Sequence, residues 1–334
     1  MIGGQICLEY VERSRMMNFH ERHSVEEVVQ VARALGKLHA CSLNQNPTAP
    51  ELLDATFFAH FYTSRTAAYS KMFAGLLAVD GSESTRTLMA RVDDILPDYA
   101  STNVPITLHT QMGIRPVLVN GDLRTENVLF DAGTGELAAL IDWQCTHLGV
   151  GVEDLHRLTL FALSSEDRRA FDKTLGSYSF MSHITYLSNH AILPHIAVFL
   201  NLYFCEHASW QLNMFSQMLF EMYKSFITSS RASMPMLVAE MYNSMVNNLN
   251  GAEPPYSLET LLLLSDLLFP HCALFFAGAC IGLITNQEMN PRLSKEEKAH
   301  RREIVLDKVL GSFEDVLHFN VEKKNKLRNI KFRY

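Results

Sequence analysis

Between Arg115 and Asp142 the sequence stops reading as helix, and this short interruption constrains the rest. Pro116-Val117-Leu118-Val119 reads as a strand and Asn120-Gly121 as a turn. Asn127-Val128-Leu129-Phe130 is a second strand, Asp131-Ala132-Gly133-Thr134-Gly135 a loop, and residues 137–141 a third strand. Residues 6–11 add a short β-type run near the start. Elsewhere the pattern is helical. Ser24 and Glu27 make a capping box ahead of Val28, Val31, Ala32, Leu35 and Leu38 at helical spacing. Further helical patterns cover residues 54–79, 84–96, 152–163 and 236–249. Ser257 with Glu259 opens an apolar helix, and a second capping box, Ser294 with Glu297, starts a long amphipathic one towards Phe319. The expected fold class is α+β, mostly α-helical, with a small β-hairpin insert.

The insert carries the chemistry. Asp122 and Asn127 stand at the D-x-x-x-x-N spacing of a phosphotransfer catalytic loop. Phosphoryl transfer needs a carboxylate that accepts a hydroxyl proton and orients the attacking oxygen. It also needs an Asn and a second carboxylate that converge on magnesium. Asn127 at the start of one strand and Asp142 at the end of its hairpin partner meet at one edge, and their hard oxygens suit magnesium. Asn-Gly between apolar runs is by itself only a hairpin signal. The ordered set of strand, Gly-Asp loop, Asn-led strand, turn, strand and Ile141-Asp142-Trp143 is what separates the two readings.

At these residues the chain resembles the CHK kinase-like family, the ecdysteroid-kinase-like relatives of choline kinase and aminoglycoside phosphotransferase. Asp142-Trp143-Gln144, His147-Leu148-Gly149 and Glu153-Asp154-Leu155 are similar to the family's run after the metal-binding aspartate. So are Ser165-Glu166-Asp167-Arg168-Arg169 and Pro255-Tyr256-Ser257-Leu258-Glu259 before Phe269-Pro270. Leu8-Glu9-Tyr10-Val11 resembles the hinge strand and Leu38-His39-Ala40 the helix after it. The resemblance implies a protein-kinase-like C-terminal lobe with most of the N-lobe missing. It implies Asp122 as catalytic base, Asn127 and Asp142 as magnesium ligands, and the hinge backbone at Glu9, Tyr10 and Val11 as the adenine contact for ATP. It makes Asp154 a buried carboxylate bonded to catalytic-loop amides, and His39 a satisfied helix histidine. Asn120 stands where the family has His, and an Asn can replace some of that residue's hydrogen bonds.

The implied organisation has four parts. Residues 1–12 are a hinge-strand remnant of the N-lobe, and 13–173 are the C-lobe core with the catalytic and metal loops. Residues 174–235 are a charge-poor insertion, and 236–334 are the C-terminal helices. No Gly-rich phosphate loop or strand lysine fits ahead of Ile6, so three readings stand side by side. One is an ATP- and magnesium-dependent kinase acting on a hydroxyl of a small molecule. The second is a non-catalytic pseudokinase-type binding or regulatory module. The third is a fragment of a longer active kinase.

Composition narrows the partners. A net charge of -7 over 334 residues gives no global field that favours nucleic acid. Six scattered cysteines without a C-x-x-C pair fit reduced thiols and a cytoplasmic location, and no secretory signal is visible. Two apolar stretches are expected to be buried helices and not membrane spans. Residues 191–205 are short and contain Pro194 and His195, while Glu259, Asp266, Pro270 and His271 interrupt 258–284.

Overall fold

The computed structural model describes residues 11–44, 66–100, 104–169, 234–288 and 290–322. Glu9, Tyr10, the 6–10 run, the start of the 54–79 pattern, nearly all of the 174–235 segment, with its 191–205 stretch, and the tail from Lys323 lie outside them. The chain divides into two units, one of residues 1–166 with 234–334 and one of 167–233. The described residues give a mostly helical α+β architecture with two small sheets.

Helix α1 (Val25–Asn44) starts where its capping box puts it. The Glu27 N–H donates to Ser24 Oγ at 3.3 Å, and the Ser24 N–H donates to Glu27 Oε2 at 2.9 Å. Two donors at the helix start are thereby satisfied reciprocally. Then come α2 (Thr66–Val79), α3 (Glu83–Ala100) and the eight-residue α4 (Val104–Gln111). The sequence pattern did not suggest α4, which is too short to show a helical period. After the sheets lie α5 (Val152–Ala162) and the short α6 (Ser165–Arg169). Three long helices follow among the described residues, α7 (Met234–Asn247), α8 (Leu258–Glu288) and α9 (Lys295–Glu322). The second capping box holds α9 as the first holds α1.

The strands are β1 (Ser14–Met16), β2 (Val117–Val119), β3 (Val128–Asp131), β4 (Leu137–Leu140) and β5 (His147–Gly149). All pairings are antiparallel, in the orders β1-β3-β4 and β2-β5. The expected β3–β4 hairpin is therefore the inner part of a three-stranded sheet. In it Met16 pairs with Leu129 and Leu129 with Ala139. β1 is only Ser-Arg-Met and β5 only His-Leu-Gly, so neither is long enough to show an alternation. α1 grips the hairpin through Gln30, whose Nε2 donates to the Gly135 carbonyl while its Oε1 accepts the Leu137 N–H.

The main core lies between α2, α3, α8 and α9, with Phe19, Leu160 and Phe161 inserted into it. Stretch 258–284 is the body of α8, more than half buried against α5, α7 and α9. By length and composition its segment Leu258–Cys280 could cross a membrane, and it is the one such segment among the described residues.

Candidate active site

The site is built on one carboxylate. Asp154, in the first turn of α5, is fully buried, and its two oxygens accept the Asn120 N–H at 2.7 Å and the Gly121 N–H at 2.9 Å. Burial pushes its carboxyl up to about 6, with the two amide bonds and the nearby Arg157 pulling the other way. Those bonds fix the sharp turn between β2 and the loop. Gly121 has a φ of 81°, and a Cβ there would collide with the Cys145 carbonyl and come within 3.0 Å of the His147 ring. Only glycine fits such a backbone and such a neighbour.

Asn120 joins the loop to the next element. Its Oδ1 accepts the Asp122 N–H at 3.1 Å. Its Nδ2 donates to the carbonyls of Ile141 (3.3 Å) and Asp142 (3.2 Å). Asn127 closes the loop, with Nδ2 on the Asp122 carbonyl at 2.8 Å and its own carbonyl taking the Ile141 N–H at 2.9 Å. Asp122, Asn127 and Asp142 thus belong to one hydrogen-bonded frame. Asp142 has φ 59° and ψ 66°, the left-handed region. Asp tolerates that region at a modest cost, and such outliers collect where geometry serves chemistry.

The functional groups differ in what they face. The Asp122 carboxylate accepts no hydrogen bond from the described residues and lies 4.0 Å from Arg124 Nε. Burial raises its pKa, opposed by Arg124 and Arg157 and helped by Asp142 and Glu126. Gln144 Nε2 approaches Asp142 Oδ2 at 3.3 Å. The Asn127 amide nitrogen donates to the Asp122 carbonyl, so the amide oxygen is the atom left as an acceptor. Among the described residues no three His, Cys, Asp or Glu side chains converge as a metal site. One amide oxygen and one carboxylate are the partial set that magnesium accepts when phosphates and water fill the rest of its shell, so these residues fit that ion.

Behind the loop lies a buried ion network. His147 Nδ1 bonds the Cys145 carbonyl at 3.0 Å, and its Nε2 lies 3.3 Å from Glu153 Oε2. The other Glu153 oxygen takes Arg157 at 2.8 Å, and that guanidinium lies 4.3 Å from the Phe275 ring centroid. For Glu153, burial works against the charge, but Arg157 and His147 outweigh it and hold the carboxyl down to about 2.

The structure brings together Asp122, Asn127 and Asp142, and gives Asp154 the amide-binding place expected of it. His39 corrects the expectation. It is buried, but neither ring nitrogen has a hydrogen-bond partner among the described residues, and burial lowers its pKa to about 3. The ring is pressed on Gly151, where a Cβ would come within 2.7 Å of Nε2. Of the hinge, only Val11 is described, and its carbonyl accepts Ser14 Oγ at 2.9 Å. Sequence reasoning missed the apolar rim. Met16, Ile141 and Trp143 are exposed, Met16 by 54 %. The signal was available, since along β3 the buried Val128 and Phe130 alternate with the part-exposed Leu129, which pairs with Met16.

A family model described as "Uncharacterized oxidoreductase dhs-27" (DUF1679) matches residues 2–234, more than half of the chain. The chain belongs to this family. DUF1679 therefore covers every residue of the frame from Asn120 to Asp154. The chain is also similar to the "Uncharacterized kinase-like protein D1044.1" of Caenorhabditis elegans. The two are 24 % identical over 195 residues, 55 % of this chain and 49 % of the relative. The chain thus spans about half the length of the curated relative it matches.

Proposed function

We propose that this DUF1679 chain is the catalytic lobe of a kinase-like phosphotransferase of CHK type, which moves a phosphoryl group from ATP to a hydroxyl of a small molecule. The observation that carries this reading is the single frame in which Asn120 ties Asp122 to the backbone of Asp142 while Asn127 holds the Asp122 carbonyl. Positioning and electrostatics supply nearly all of the catalysis in this reaction class, so a rigid frame is what the protein must contribute.

Asp122 is the base. Its half-buried carboxylate, with no hydrogen-bond donor of its own among the described residues, takes the proton of the acceptor hydroxyl. That oxygen bonds to phosphorus as the bond to the leaving diphosphate breaks. Asn127 and Asp142 would hold magnesium, which supplies neutralisation of phosphate charge. The exposed apolar side chains Met16 and Ile141 would offer the nucleotide's base an apolar surface beside the polar frame.

The word oxidoreductase in the family's description suggests a second chemistry. A dinucleotide site of the common type uses a parallel sheet with a Gly-rich strand-to-helix turn. The described residues hold antiparallel pairs only. The frame around Asp122 favours phosphoryl transfer.

The Asp122→Asn variant tests the reading. Turnover of Mg·ATP with an acceptor alcohol should fall at least a hundredfold, the usual worth of a positioned base, with an unchanged melting temperature. Unchanged turnover would sink the assignment. A folded wild-type chain that binds no Mg·ATP would favour the non-catalytic module.

A further inference from the structure

Two guanidinium groups send their charge to Asp122, those of Arg124 and Arg157. Arg157 is committed to Glu153 and to the Phe275 ring. Arg124 is held differently. Its N–H donates to the Asp122 carbonyl at 2.9 Å and its carbonyl accepts the Asn127 N–H at 2.9 Å. The backbone of this residue is therefore pinned between the proposed base and a proposed metal ligand.

Its side chain makes no hydrogen bond to the described residues. Nε is buried without a partner and stands 4.0 Å from both Asp122 Oδ2 and Glu126 Oε2, beyond hydrogen-bond reach. Two carboxylates at that distance hold a cation by charge while leaving its N–H donors unused. The side chain is 37 % exposed, so a ligand can reach it. A guanidinium with open donors matches phosphate oxygens in fork geometry. The need is also local, because Asp122, Glu126 and Asp142 form an anionic rim that repels a triphosphate.

We infer that Arg124 is a phosphate-contact residue, whose guanidinium binds oxygens of the nucleotide's phosphate chain at the loop that carries Asp122. This rests on the phosphotransferase reading and adds to it a group that neither the motif spacing nor the resemblance assigned.

The test is calorimetry of the full chain with Mg·ATP and, separately, with adenosine, for wild type, Arg124→Gln and Arg124→Lys. The expected result is Mg·ATP affinity roughly tenfold or more weaker in Arg124→Gln, the loss of a charge-assisted contact. Arg124→Lys should recover most of it, and adenosine should bind all three alike. If Arg124→Gln binds Mg·ATP as wild type does, the inference fails and the phosphotransferase reading stands. If Arg124→Gln loses adenosine as well, Arg124 is a structural residue and the inference fails. If wild type binds neither ligand, the phosphotransferase reading fails and takes the inference with it.

Discussion

Asn120 joins two segments of the site through one buried amide. It orients the Asp122 N–H and holds two carbonyls of the segment that ends in Asp142. Asn120→Ala would remove the partner of three partly buried backbone groups, a loss of about 1–3 kcal/mol in stability, measurable by urea denaturation. The ions behind the loop set a pH dependence. Glu153, held down to about 2 against an ordinary 4.5, stabilises the fold above 4.5 and loses this contribution as pH falls through 2. For His147, burial lowers the pKa, but Glu153, the Cys145 carbonyl and Asp154 raise it overall. The nearby His109 has its own pKa lowered, first by burial and then by His147. The contribution of His147 is therefore full below 6.5 and is lost as pH rises through its folded value. Asp154, raised from 3.8 to about 6, contributes fully below 3.8 and loses the contribution as pH rises through about 6. The melting temperature should therefore peak near pH 4, fall from there to about pH 6 as Asp154 ionises, and decline again above 6.5, with His147→Gln removing part of that upper decline. A flat profile over this range would contradict the assignment of these charges.

At the scale of elements, α1 and α7 approach closely at Gly36. A Cβ at Gly36 would collide with the Met241 carbonyl and lie 2.7 Å from the Ser244 Cβ, and Ser244 Oγ donates to the Arg33 carbonyl at 2.6 Å. Gly36→Ala must force the helices apart and should cost about 1–3 kcal/mol, as overpacking does, readable in the denaturation midpoint. This contact shows where sequence reasoning ends. The capping boxes at Ser24 and Ser294 were legible because a cap is a local bargain between residues three apart. The β3–β4 hairpin was legible because both strands flank a Gly-rich loop. β1 was not, since Ser-Arg-Met becomes a strand only by pairing with Phe130 and its neighbours far along the chain. The same holds within the site. Asp122, Asn127 and Asp142 were visible from spacing, whereas the bridging role of Asn120 depends on two elements meeting. His39 shows the limit from the other side, because burial can be guessed from a helix face but a missing partner cannot.

Across the whole molecule, Lys308 of α9 ties distant segments together. It is fully buried, and its Nζ donates to the carbonyls of Phe19, Glu21 and Phe161 at 2.8, 2.8 and 2.7 Å. Lys308→Met keeps the stem but strands three carbonyls, so a loss of about 3 kcal/mol or more is expected, with a clear drop in melting temperature. An unchanged melting temperature would mean that water replaces the ammonium. The same tie has a consequence for how the protein is made. Phe19 leaves the ribosome 289 residues before Lys308, an interval of roughly a quarter of a minute to a minute at ordinary synthesis rates. Until α9 emerges, the core between α2, α3 and α8 stands open on one side. The nascent chain is then a client for chaperones and proteases, and a message cut short ahead of Lys308 yields a product that cannot close.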